Sequence, residues 1–305
     1  PVVIGVAAKS GSTRSRLLMP LVFAAALGGN LSLIGAPGNL IAQSALQNIG
    51  SGFGFFEYAK VGLPMLVCGI LYFLTIGYKF LPNNSNSSEV GSIGEQRDYS
   101  HVPRWKQILS LVVLIATILG MIFEKQTGIS LTVAGCIGAL VLVITGVLTE
   151  KQAYKAIDSQ TIFIFGGTLA LAKALEMTGA GKLVADQVIG LLGNNSSPFM
   201  LLVVVFALSV VMTNFMSNTA TVALLVPVSL SIAAGMGADP RAVLMATVIG
   251  SSCAYATPIG MPANMMVLSA GGYKFVDYAK SGIPLIIVST IVSLILLPIL
   301  FPFHP

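Results

Sequence analysis

Residues 198–237 run without a single charged side chain, yet their middle is polar: Met212-Thr213-Asn214-Phe215-Met216-Ser217-Asn218-Thr219-Ala220-Thr221. One helix needs about 20 residues to cross a bilayer, so this stretch is long enough for two. Hydrocarbon holds no water to solvate an amide or a hydroxyl, and such groups need partners from the protein or from a ligand. Two apolar helices, 199–215 and 220–236, folded about a polar tip meet both demands. Hydroxyls bonded back to their own helix, with Asn bridging neighbouring helices, account for one or two such residues. A cluster this dense points to a function.

The rest of the chain has the same character. It is 55% hydrophobic and 9% charged, with mean hydropathy +0.89, against about 25% charged residues in soluble domains. The expectation is an all-α polytopic protein, integral to a plasma or inner membrane. The formal charge of +5 is too sparse and scattered for nucleic acid. Cys68, Cys136 and Cys253 each sit in an apolar run and are expected as buried, unpaired thiols without metal-ligand spacing. His101 and His304 lie in a polar linker and beside the last residue, away from any span.

In chain order, residues 1–8 are apolar but too short to cross, and a basic turn with Lys9, Arg14 and Arg16 follows. Gly28-Gly29-Asn30-Leu31-Ser32-Leu33-Ile34-Gly35-Ala36-Pro37-Gly38-Asn39 would break a helix almost anywhere. A helix, an unwound middle and a half-helix is the simplest account of 1–57, and 58–81 supplies a full span. Residues 82–104 form a polar linker. Within 105–197 the sequence reads as spans 108–123 and 129–148, an interfacial segment 149–158, a span from 162 to 175, and an amphipathic stretch 176–186. The polar-tipped hairpin and a second broken region, Tyr255-Ala256-Thr257-Pro258-Ile259-Gly260-Met261-Pro262-Ala263-Asn264, occupy 198–280, and 281–305 holds the last span.

The two broken regions belong to an internal repeat. Leu18-Met19 matches Leu244-Met245, and Ile34-Gly35-Ala36-Pro37-Gly38-Asn39 matches Ile259-Gly260-Met261-Pro262-Ala263-Asn264. Glu57-Tyr58-Ala59-Lys60-Val61-Gly62-Leu63-Pro64 matches Asp277-Tyr278-Ala279-Lys280-Ser281-Gly282-Ile283-Pro284. Five crossings separate equivalent points, and an odd number inverts the second copy. Inverted repeats with paired broken helices place substrate and ion sites near the midplane. With the Lys9–Arg16 turn inside, eleven Lys and Arg fall inside and five outside, as the positive-inside rule asks. Residues 217–219 precede Pro227, the match of Pro1, so the counterpart tip is expected upstream of Pro1, as in the C-terminal part of a longer transporter.

The Ser-Asn-Thr tip, the Gly28-Gly29 pair, both Pro-x-Asn loops and the repeat together resemble the divalent anion:sodium symporter family of the ion transporter superfamily. The resemblance covers essentially the whole chain. It implies an elevator-type homodimer in which a transport domain, made of re-entrant hairpins and broken helices, moves against a scaffold. Carried over by position, Ser217, Asn218, Thr219, Met261, Pro262, Ala36 and Pro37 line the anion site. Thr213, Asn218, Gly260 and Gly35 hold sodium, the coupling ion, and no other cofactor is implied. Ala36 and Met261 stand where the family often has a hydroxyl, and Asn214 where an acid is common.

The residues themselves lead the same way. The tip and both broken loops contain no Lys or Arg to neutralise a small divalent or trivalent anion (dicarboxylate, citrate or sulfate). Backbone N–H groups at helix ends, Asn and Thr donors and a co-bound cation are what remain. These elements contain no Asp or Glu either, so the usual carboxylate proton relay has no carrier. Sodium-coupled secondary transport is the leading reading. The alternatives are a proton- or metal-coupled citrate or oxyanion carrier of the same superfamily, or a passive anion channel. An intramembrane enzyme finds no His-Glu-x-x-His, no paired aspartates and no nucleophile–base pair.

Overall fold

The computed structural model describes residues 3, 6–7, 12–83, 102–157, 163, 167, 170, 174, 177–179, 183, 187 and 197–302, apart from the side chains of Lys125 and Ser269. The described residues are helical or irregular, with no strand among them. Lys9, the middle of the linker and nearly all of the expected span 162–175 and stretch 176–186 lie outside the described residues. Among the described residues, the helices long and apolar enough to cross a membrane are Arg104–Ile122, Asn218–Met236 and Phe275–Leu300. The chain divides into two units, residues 1–93 with 163–305, and residues 94–162.

The smaller unit contains α4 (Arg104–Ile122), α5 (Leu131–Ile144) and α6 (Glu150–Ala156). The short helix Glu124–Thr127 and Gly128, at φ 67°, turn the chain between α4 and α5. Gly138 lets α5 approach α4, because a Cβ there would collide with Thr117 Oγ1. Gly146, at φ 70°, helps end the segment, so α5 stops short of the expected residue 148. Thr149 and Gln152 form a capping box that starts α6.

The larger unit holds α1 (Arg14–Gly28), α2 (Pro37–Gln47), α3 (Ala59–Thr75), α7 (Pro198–Thr213), α8 (Asn218–Met236), α9 (Pro240–Ser251), α10 (Pro262–Ala270) and α11 (Phe275–Leu300). Every residue of α9 from Ala242 to Ser251 is buried, the mark of a helix enclosed on all sides. Leu201 and Val205 of α7, Ile232 and Ala233 of α8, and Val243 of α9 form one core cluster. The last helix of this unit is patterned the other way. α11 buries Ser281, Gly282, Ser289 and Ser293 and exposes Ile283, Ile287, Ile291, Ile295 and Ile299. Small residues at the helix contact and isoleucine outside suit hydrocarbon surroundings, where burial of apolar surface does not drive helices together.

Residues matched in sequence make matched contacts. Phe53 stacks edge-on against Tyr58 with centroids 5.1 Å apart, and Tyr273 against Tyr278 at 5.6 Å. Glu57 accepts a hydrogen bond from Gly54 N, and Asp277 from Lys274 N, both at 2.8 Å. The matched helices α3 and α11 run antiparallel. Tyr72, late in α3, donates to Ser281 O near the start of α11 (3.0 Å), and Ser293, late in α11, donates to Met65 Sδ (3.2 Å). The ends of the two copies also meet crosswise. Tyr273 donates to Ser15 O (2.6 Å), while Arg241 pairs with Glu57 beneath the rings of Phe53 and Phe301.

α3 runs 17 residues and is followed by the 3-10 turn Gly77–Lys79, within the expected 58–81. Two expectations need correction. Cys136 is exposed and Cys68 half-buried; only Cys253 is buried, and all three thiols are free. An apolar run signals burial only in water, and a span turns much of its surface to lipid. Asn218 and Thr219 belong to the first turn of α8 rather than to a loop.

Candidate functional site

α7 ends where Thr213 meets two turns closed by Asn214 N to Val211 O (3.3 Å) and Phe215 N to Met212 O (2.9 Å). Ser217 then opens α8 as its N-cap, its hydroxyl accepting from Ala220 N at 3.2 Å. A serine side chain at this place satisfies a helix N–H that has no partner in the preceding turn. Residues 214–217 are thus a short reversal between two helix ends, with Ser217, Asn218 and Thr219 all half-buried.

Against this reversal lies the second break, residues 252–261. The buried side chain of Asn264 braces its irregular backbone, its Nδ2 donating to Ala254 O (2.8 Å) and Thr257 O (2.9 Å). Pro262 follows at the start of α10, where a missing N–H costs nothing. Gly282 lets α11 press on the break, since a Cβ there would collide with Tyr255 O. Gly260 lies under the tip, where a Cβ would stand 2.5 Å from Thr213 O and 2.8 Å from Ala254 Cβ.

Three oxygens and the Asn218 side-chain amide converge where tip and break touch. The Asn218 amide stands 2.8 Å from Thr213 Oγ1, 3.0 Å from Gly260 O and 3.1 Å from Ser251 O. Thr213 has one hydroxyl proton, and Ser251 O accepts it at 2.5 Å. Several serines and threonines of these helices bond back to their own helix: Ser209 to Val205 O, Ser231 to Pro227 O and Thr247 to Val243 O. Thr213 instead reaches 38 residues onward. The group facing the three oxygens must therefore be a donor or a cation. Either the amide nitrogen of Asn218 donates to them, or the amide turns and its Oδ1 joins them around a cation, 2.8 Å from Thr213 Oγ1. The set of two backbone carbonyls, a hydroxyl and an amide oxygen fits a monovalent cation at a broken helix. Three members, Thr213, Asn218 and Gly260, were expected from the sequence. The Ser251 carbonyl was not, because a backbone oxygen leaves no mark on side-chain pattern.

The first break repeats the geometry. Asn39 Nδ2 donates to Gly29 O (3.2 Å) and Ser32 O (2.9 Å), and Gly62 presses on Asn30 O as Gly282 does on Tyr255 O. The two breaks meet at Ser252, whose hydroxyl donates to Asn30 Oδ1 at 2.8 Å. Gly35 and Pro37 are exposed and Ala36 half-exposed, as are Pro262 and Met261 in the second copy. α2 joins the tip helix through Gly38, where a Cβ would lie 2.9 Å from Val222 of α8. Among the described hydrogen bonds Gly35 joins none of Thr213, Asn218, Ser251 and Gly260; its N–H donates to Ser32 O at 3.1 Å.

Comparison with known proteins bears on this geometry. The family model described as citrate transporter matches residues 1–243 and again 118–304. An uncharacterized transporter of Methanocaldococcus jannaschii, MJ0672, is 30% identical over 96% of this chain and 66% of its own length. The uncharacterized transporter YfbS of Escherichia coli is 35% identical over 56% of this chain and 28% of its own. The sodium-dependent dicarboxylate transporter SdcS of Staphylococcus aureus is 25% identical over 94% of this chain and 58% of its own. The chain spans less than two thirds of the length of each of these relatives.

Proposed function

Because the chain belongs to the citrate transporter family, within the ion transporter superfamily, we propose that the protein carries a small divalent or trivalent anion across the membrane together with sodium. The observation that carries this reading is the meeting of Thr213 Oγ1, Asn218, Ser251 O and Gly260 O at one point. None of the four is a carboxylate, so a proton has no acceptor there, whereas sodium takes neutral oxygens. This favours sodium over the proton-coupled alternative. SdcS, a sodium-dependent dicarboxylate transporter, lends the same reading its substrate class, with citrate and sulfate as the other candidates.

In this reading the cation binds first and fixes the tip against the break. The anion then docks on the N-terminal side of α8, where Ser217, Asn218 and Thr219 offer amide and hydroxyl donors. Met261 and Pro262 at the start of α10, and Ala36 and Pro37 at the start of α2, complete the lining. Helix N-termini favour negative charge, which replaces the absent lysines and arginines.

We read the two copies as inverted and the motion as an elevator. The antiparallel course of the matched helices α3 and α11 supports inversion. In this scheme residues 1–57 and 198–280, with both breaks and the hairpin, form the transport domain, and the scaffold-like helices of 105–197 make the homodimer contact. The test is uptake of radiolabelled succinate, citrate and sulfate by the complete protein in vesicles, with and without a sodium gradient. Uptake indifferent to that gradient would falsify the coupling, and conductance without saturation would favour the channel.

A further inference from the structure

Asn214 and Thr257 are not members of the oxygen cluster, yet they tie the tip to the break that supplies half of it. Asn214 is 6% exposed. Its Nδ2 donates to Val210 O in its own helix (2.8 Å) and to Cys253 O in the break (3.2 Å), and its Oδ1 accepts from Ala256 N (2.9 Å). Its main-chain carbonyl accepts the Thr257 hydroxyl at 2.6 Å. That same hydroxyl oxygen accepts from Ile259 N and Gly260 N, both at 3.3 Å. The two residues therefore hold the irregular backbone between Ser251 and Gly260 from both ends.

Carbonyl oxygens that face one another repel, and a cage built from them binds a cation well only when other bonds already hold it in shape. We propose that Asn214 and Thr257 are positioning residues, a clasp that presets the Ser251 and Gly260 carbonyls for the cation. The proposal rests on the sodium reading above. It assigns to Asn214, beside the cluster, the shaping of the site rather than contact with the ion. A carboxylate at 214 keeps the acceptor for Ala256 N–H and loses both donated bonds.

The test is sodium-dependent uptake by the complete protein in vesicles, titrating sodium at saturating anion and anion at saturating sodium. Thr257→Val keeps the shape and removes the hydroxyl. The expected result is a sodium half-saturation raised about tenfold, the size of one lost buried hydrogen bond, with the anion KM within about twofold of wild type. Thr257→Ser restores the hydroxyl and is expected within about twofold of wild type in both constants. The clasp is overturned if Thr257→Val leaves the sodium constant unchanged, if both constants rise together, or if Thr257→Ser is as impaired as Thr257→Val. A wild type without sodium dependence sinks the cation reading and the clasp with it; a sodium-dependent wild type beside an unaffected Thr257→Val sinks the clasp alone.

Discussion

The first and second breaks are built alike and placed differently. Each is stapled by one asparagine, Asn39 or Asn264, and pressed by one glycine, Gly62 or Gly282. Yet Gly260 is buried beneath the hairpin reversal, and Gly35, its match, is exposed. The oxygen cluster forms where a second polyamide element, the α7–α8 reversal, brings Thr213 and Asn218 onto the break. The lesson is that a broken helix supplies aimed carbonyls, and under the proposed sodium reading a facing element completes the shell.

Breaking this comparison begins with the facing element. Asn218→Ala removes the one side chain that contacts all three other oxygens. It is expected to abolish sodium-dependent uptake with normal protein levels; wild-type transport by the variant would take Asn218 out of the site. Next come the two glycines. Gly282→Ala and Gly62→Ala each drive a methyl into a backbone carbonyl, and each is expected to lower stability by about 3 kcal/mol or more. Similar losses in thermal unfolding would affirm that the breaks are built alike, and a tolerated alanine at either place would deny it.

The staples separate shared architecture from function. Asn264→Ala and Asn39→Ala each lose two bonds to break carbonyls, a cost of about 2 kcal/mol apiece, again read by thermal unfolding. Only Asn264→Ala is expected also to weaken sodium half-saturation, since only the second break faces Thr213 and Asn218. Equal sodium effects would put both breaks in one site. A smaller effect is expected from Arg241→Met, which removes the part-exposed pair with Glu57; about 1 kcal/mol or less is lost, partly screened by salt. Smallest in stability is Met261→Thr. It is expected to leave sodium half-saturation in place and to change which anion competes best, and an unchanged competition profile would move Met261 off the anion.

Much of this comparison was legible before any coordinates. Gly, Pro and Asn at matched spacing announce two interruptions, because few other residues tolerate unwound backbone in hydrocarbon. The alignment of Tyr58 with Tyr278 carries through to matched hydrogen bonds, onto Asn39 O at 3.3 Å and Asn264 O at 2.7 Å. Thr213, Asn218 and Gly260 were carried over from the family resemblance, and they do converge. Burial of Cys68 and Cys136 was misjudged because in a bilayer an apolar side chain has no need to hide. The roles of Ser251, Asn214 and Thr257 were not readable, since each acts through main-chain atoms or reaches them from tens of residues away.

The sequence by itself determined that this chain lives in lipid, folds into helices, and interrupts two of them at equivalent places. Those follow from local chemistry: hydropathy, the missing Cβ of glycine and the missing N–H of proline. Only the tertiary structure decided which interruption faces the hairpin and which carbonyls turn toward Asn218. Main-chain oxygens are the same in every residue, so their meeting is set by packing and not by the identity of the side chains they carry.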